Sequence, residues 1–336
     1  MKKNKASISL FTIMAVLVLS INMAFAQTEK SLELLLKDAE NNDPVAQNKV
    51  GKYYENEHNA DKAFYWYQKA AENDNIVGQY NLSMAYMKGL GSGVDYNKAF
   101  IWLKKTCENK NAGMNKALPQ FYLGTMYENG AGTPRDYVKA IYWYTNAGEN
   151  NLVEAQKYLG KLYERDGGIT KGDEQKYKYW NEKAAKNGDA ESQLIIAGTY
   201  DLEDNGAGAR EKAIYWYSKS ADQGNVQAQY ELGQLYRLHP LNAADFKQAF
   251  YWLQKAAMNY NADAQFSLAF LYQDGRGTAI DVPKAFYWVK KSVQTAAAKG
   301  EAFRNKEAEK YLGEMYRDGI GTAVDNAQAE YWLNKE

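Results

Sequence analysis

The side chains able to do chemistry are few, and their placement argues against catalysis. There are two histidines, His58 and His239, and one cysteine, Cys107. A covalent mechanism needs a nucleophile beside a tuned base, yet both histidines fall in turns between predicted helices, far apart along the chain. No Ser-x-x-Lys occurs, which removes the acyl-serine route of penicillin-binding enzymes. Without a His-x-x-x-His or a cysteine cluster, zinc has no ligand set. Cys107 follows Leu103 by one helical turn and reads as a small buried apolar residue. Asp201 and Asp204 read as solvated acids at a helix end. Glycines recur in pairs: Gly89 and Gly91, Gly130 and Gly132, Gly206 and Gly208, Gly275 and Gly277, Gly319 and Gly321. No strand pattern precedes them and no Gly-Lys-Ser/Thr follows, so they predict chain reversals at positive φ, not a phosphate cradle. The reading is a chain with no catalytic residue, no metal and no cofactor.

What remains is a repeat. The tryptophans Trp66, Trp102, Trp143, Trp180, Trp216, Trp252, Trp288 and Trp332 are separated by 36, 41, 37, 36, 36, 36 and 44 residues. A period in this range marks a stacked-repeat architecture. A tyrosine stands upstream of each: Tyr54, Tyr86, Tyr127, Tyr163, Tyr200, Tyr236, Tyr272 and Tyr316. Three residues before each tyrosine the side chain is always small: Gly51, Ser83, Gly124, Gly160, Ala197, Gly233, Ala269 and Gly313. These offsets lie on one helical face and define a first helix, A. A second helix, B, carries the i, i+3, i+4, i+7 stripe seen in Ala249, Trp252, Leu253 and Ala256. The tyrosines just before their tryptophans, from Tyr65 to Tyr331, read as packing residues with a polar tip. The period predicts an all-α solenoid of eight antiparallel helix pairs over residues 44–336, with residues 27–43 supplying a capping helix through Leu32, Leu35, Leu36 and Ala39. The last pair, around Tyr316, Tyr331 and Trp332, has no cover visible in the sequence and offers a surface for self-association.

Lys2, Lys3 and Lys5 precede an apolar run from Ile8 to Ile21 and an Ala24-Phe25-Ala26 exit. This predicts a secretory signal peptide over residues 1–26 and a periplasmic or secreted mature chain, with no stable membrane insertion after cleavage. The whole chain has 41 basic and 41 acidic side chains, and loss of residues 1–26 removes three lysines and no acid. A near-neutral surface has few means of releasing phosphate counterions, so nucleic acid is excluded as a partner class.

The pattern Ala228-x-x-x-Leu232-Gly233-x-x-Tyr236, followed by Lys247-x-Ala249-x-x-Trp252-x-x-Lys255-Ala256-Ala257, resembles the Sel-one-like repeat, a relative of the tetratricopeptide repeat. The resemblance covers about residues 44–336 and recurs eight times. It implies a right-handed superhelix used as an adaptor or scaffold for other proteins. A cysteine-rich exported branch of the family, bridged within each repeat, is associated with β-lactam binding or hydrolysis; this chain, with Cys107 alone, lacks those pairs.

The expected function is that of a non-catalytic periplasmic adaptor holding envelope or secreted proteins on a concave surface. An immunity or inhibitor protein that neutralises a secreted toxic effector, and a β-lactam-binding protein or other hydrolase, are the alternatives. The binding surface is expected where helix A varies freely, two residues before and one residue after the small position. The large groups there in the middle repeats are Tyr122, Tyr158, Lys161, Ile195, Glu231 and Phe270. They are expected to be exposed and available to a protein partner.

Overall fold

The computed structural model describes residues 31–109, 116–164, 172–202, 207–300, 302 and 304–335. The expected signal peptide lies outside them, as do Asp204, Gly206 and most of the insertion after Glu108. Among the described residues every regular element is a helix. Residues 31–40 form α1. The pairs that follow are α2 (Pro44–Asn56) with α3 (Ala60–Glu72), α4 (Ile76–Lys88) with α5 (Tyr96–Glu108), and α6 (Ala117–Asn129) with α7 (Tyr137–Glu149). Next come α8 (Val153–Tyr163) with α9 (Glu174–Lys186), α10 (Ala190–Leu202) with α11 (Ala207–Asp222), and α12 (Val226–Leu238) with α13 (Ala243–Met258). The last are α14 (Ala262–Asp274) with α15 (Val282–Lys299) and α16 (Lys306–Asp318) with α17 (Asn326–Leu333). This is the α-solenoid class that the period predicts. The chain divides into two compact units, Met1–Leu159 and Gly160–Glu336, with the division inside α8.

Local chemistry sets the ends of the helices. Asp95, Asp136, Asp173, Asp281 and Asp325 cap second helices by accepting from the backbone N–H three residues on. Asn75, Asn225, Asn261 and Asn305 do the same for first helices. Gly208, read from sequence as a turn residue, instead lies in the first turn of α11. The insertion near Ala296 lengthens α15, which runs for 18 residues.

In most pairs the residue after the tryptophan goes at least as deep as the tryptophan itself, although Trp180 and Trp252 are also buried and Leu333 of the last pair is exposed. Tyr67, Leu103, Tyr144 and Leu253 are almost wholly buried, whereas Trp66, Trp143 and Trp216 are only half-buried. The small position on helix A is where the deep side chain rests. A Cβ built on Gly124 would lie 2.7 Å from the Tyr144 ring, and one on Gly51 would lie 2.6 Å from that of Tyr67. The tryptophan faces the preceding pair: Trp252 shares a buried cluster with Ala213, Tyr217 and Ala221 of α11. In the first unit, Trp66 packs with Leu35 and Leu36 of α1 around Ala39, Ala46 and Val50.

Two further devices tie pair to pair. Phe64, Phe100, Phe250 and Phe286 of second helices meet Tyr86, Tyr127, Tyr272 and Tyr316 of the next first helix edge-on, at 5.2–5.3 Å between centroids. Buried Gln156, Gln193, Gln229 and Gln265 each donate a side-chain N–H to the backbone oxygen eight residues earlier, at 2.8–3.1 Å. That carbonyl belongs to the last turn of the preceding helix, whose orphan acceptors need such partners.

Candidate protein-binding site

The potentially reactive groups are placed as solvated or inert. His58 and His239 are exposed in their turns. Cys107 is buried and unbridged, and burial pushes its thiol up to about 12. Among the described residues no three His, Cys, Asp or Glu side chains gather into a metal-holding group. In four of the paired turns the second glycine, Gly91, Gly132, Gly277 or Gly321, is pressed against backbone and leaves no room for a phosphate: Gly132 sits on the Tyr96 carbonyl, and Gly277 on that of Phe246.

The face built from the first helices is where side chains vary, and the structure revises how it is made. Of Tyr122, Tyr158, Lys161, Ile195, Glu231 and Phe270, Lys161 is exposed and the other five are half-buried. First helices of successive pairs run close enough for their large side chains to meet, so Tyr122, Tyr158 and Phe270 are inter-repeat contacts as well as surface. Tyr122 lies 6.4 Å from Tyr80, and Phe270 lies 5.2 Å from Tyr311. Tyr158 packs on Tyr144 and donates its hydroxyl to Glu128. Glu231 accepts from Gln227 at 2.6 Å; burial, with Asp201 and Asp263 nearby, holds its carboxyl above the ordinary value.

A set of residues missed in the sequence reading organises this face. One position after the helix A tyrosine stand Glu55, Glu128 and Asp201, and each accepts from a tyrosine hydroxyl of its own second helix. The pairs are Tyr67 to Glu55 at 2.7 Å, Tyr144 to Glu128 at 2.6 Å and Tyr217 to Asp201 at 3.4 Å. Burial opposes ionisation of Glu55, but hydrogen bonds from Lys52 and Tyr67 outweigh it, and the carboxyl titrates below its usual value. Burial and the neighbouring carboxylates raise all three tyrosines. The signal was in the sequence: each repeat with tyrosine after its tryptophan has an acid after its helix A tyrosine.

Between first helices lie two open cavities. In the first unit, Lys52, Glu55, Tyr80, Asn81, Met84 and Tyr122 line about 210 Å³. In the second, Tyr230, Gln234, Arg237, Phe266, Phe270 and Asn305 line about 400 Å³. Two of the six sequence candidates, Tyr122 and Phe270, are therefore wall residues of cavities.

Two other expectations are corrected. The tyrosines preceding the tryptophans are not packed in: Tyr65, Tyr142, Tyr179, Tyr215, Tyr251, Tyr287 and Tyr331 are 45–57% exposed. A one-residue step turns the side chain by about 100°, off the buried stripe, so each meets its own tryptophan edge-on, and over Tyr65, Tyr179, Tyr215, Tyr251 and Tyr331 lies the ammonium of the lysine four residues on. In the final pair Tyr316 is buried beneath Phe286, which leaves Val324, Tyr331 and Leu333 as the exposed large apolar groups there among the described residues. Among the described residues no helix is long and apolar enough to cross a membrane.

Helix pairs stacked through fixed small and aromatic positions, with variable side chains around open cavities, define a helical-repeat binding scaffold. Its family follows from the repeat itself: the Sel1 repeat profile matches residues 44–75, 76–111, 120–152, 153–189, 206–225, 226–261, 262–294 and 306–335, and the chain belongs to the Sel1 repeat family. That repeat is typically a non-catalytic protein-binding scaffold. The chain is similar to a protective antigen of uropathogenic Escherichia coli with an SLR fold. The identity is 30% and the TM-score 0.62, over 90% of this chain but only 62% of the antigen. A Sel1 repeat protein of Oxalobacter formigenes is 26% identical, with a TM-score of 0.58 over 92% of this chain and 87% of that one. An immunity protein of Pseudomonas aeruginosa is 20% identical over 64% of this chain and 78% of that one, with a TM-score of 0.37, too loose to carry a functional argument. No curated protein sequence matches the chain.

Proposed function

We propose that this protein is a non-catalytic adaptor of the bacterial periplasm that holds another protein against the face of its first helices. One observation carries the reading: cavities open between first helices at the register where the repeat leaves side chains free, with Tyr122 on one wall and Phe270 on another. Polar and aromatic groups in a concave, partly dry setting are what anchor residues of a partner need. The charged start and Ala24-Phe25-Ala26 exit support export.

Two measurements test this. Mass spectrometry of the protein from its native envelope should find a mature chain beginning at Gln27; a full-length cytoplasmic species as the main form overturns the periplasmic part. Photoreactive benzoylphenylalanine placed at position 122 or 270 should give protein adducts in living cells, and at position 215 none. Adducts from position 215 alone would move the site to the second helices. A secreted toxin as the captured protein would select the immunity role.

A further inference from the structure

Arg237 puts a cation at the register where three other repeats hold an acid. At its register, Glu55, Glu128 and Asp201 each take a hydroxyl from a tyrosine one residue after the tryptophan. In this repeat the residue after the tryptophan is Leu253, which has no polar atom, and the acid is replaced by an arginine. Arg317, the other arginine at this register, is exposed and bonded by two N–H groups to Asp318 at 2.8 Å. Arg237 has no such partner. Its Nε donates to Gln234 Oε1 at 2.7 Å, and Gln234 Nε2 donates to the Tyr230 hydroxyl at 2.8 Å. Among the described residues no carboxylate lies within ion-pair distance of it.

The guanidinium is thus oriented by a side-chain relay, half-buried and unpaired, and it lines the cavity of about 400 Å³ with Phe266 and Phe270. Burial lowers its proton affinity; Tyr230 works the other way and Arg276 the same way. A half-buried guanidinium with N–H donors turned to an open cavity is available to a ligand acceptor, and a planar carboxylate matches its fork. The rim narrows the choice further. Exposed Asp263 and Glu307 line the same cavity and repel a polyanion such as a nucleic acid or a phosphorylated segment.

The geometry points to this cavity as a receptor for a peptide segment of a protein partner, one acidic side chain seated on Arg237 and an adjoining apolar side chain against Phe266 and Phe270. The inference rests on the adaptor reading and gives the chemistry of one of its subsites. Asp263 and Glu307 set the segment's other feature, a neutral or basic residue toward the rim.

A random heptapeptide library displayed on phage, selected against the full chain, tests it. Peptides recovered on the parent should be enriched in Asp or Glu beside an aliphatic or aromatic residue. A representative peptide should lose at least tenfold in affinity on Arg237→Gln, and as much when its acid is changed to the amide. Inorganic phosphate at millimolar concentration should not displace it. Displacement by phosphate, absence of acidic enrichment, or recovery of the same peptides on Arg237→Gln overturns the inference. In the free protein Arg237→Leu should raise Tm by about 1–3 °C, because an unpaired half-buried cation is relieved; a fall in Tm would make the guanidinium structural and overturn the inference. The adaptor reading fails separately, if positions 122 and 270 give no adducts in cells.

Discussion

Tyr144→Ala should destabilise the first unit by about 3–5 kcal/mol, the range for a buried aromatic cut to a methyl, and by clearly more than Trp143→Ala. The two side chains are neighbours in sequence but not in environment. Tyr144 is 1% exposed, rests on Gly124, touches Phe121 and Tyr158, and donates its hydroxyl to Glu128. Removing it empties the seam between α6 and α7 and takes from Glu128 one of the two tyrosine hydroxyls it accepts from among the described residues. Trp143 is half-buried, and its loss opens a surface notch that water can fill. Denaturant unfolding of the two variants decides between them. If Trp143→Ala proves the more damaging, the deep position is the tryptophan and the packing described here is wrong. Tyr144→Phe isolates the hydroxyl and should cost about 1 kcal/mol, near the net worth of one hydrogen bond.

Gly277→Ala should destabilise the second unit by about 3 kcal/mol or more, from two effects that a control can separate. Its φ is +76°, where a side chain costs about 1–2 kcal/mol. Its Cβ would also stand 2.1 Å from the carbonyl oxygen of Phe246 and 2.6 Å from the carbonyl carbon, in α13 of the preceding pair. Backbone cannot swing aside as a flexible side chain can, so the turn must lift off the helix and loosen the stack. Gly224 also has a positive φ, 90°, but nothing lies within 4 Å of its would-be Cβ. Gly224→Ala should therefore show the conformational strain alone, about 1 kcal/mol. Equal melting of the two variants would mean that the contact with Phe246 is not tight.

The same comparison shows how much was legible beforehand. A period of 36 residues, a small residue three before a tyrosine, and paired glycines place the helix pairs and four of the turns, because each is a local consequence of helix geometry or backbone sterics; at Gly208 the glycine signal misled, since that residue opens α11. That a stripe contains both Trp252 and Leu253 is equally visible. Which of the two goes deeper is not, since both lie within one broad apolar face and the choice depends on where the neighbouring pair sits. The candidate face was singled out by its variability, and Tyr122 and Phe270 line cavities there. Its burial was misjudged, because variation within a chain reports freedom from the repeat's own rules, not freedom from contact. Tyr80 and Tyr122, or Phe270 and Tyr311, are about 40 residues apart and meet only when first helices are laid side by side.

The sequence by itself thus determined an all-helical repeat, its period, its turns, and a poverty of catalytic groups, all of which follow from residue type and short-range spacing. Tertiary structure alone decided which aromatic of each Tyr-Trp-x triplet is buried, which acids receive a tyrosine hydroxyl, and that Arg237 is left without one. The reason is physical: burial and hydrogen-bond completion are properties of a neighbourhood. In a stacked repeat half of every neighbourhood is contributed by the next pair, whose position no single repeat encodes.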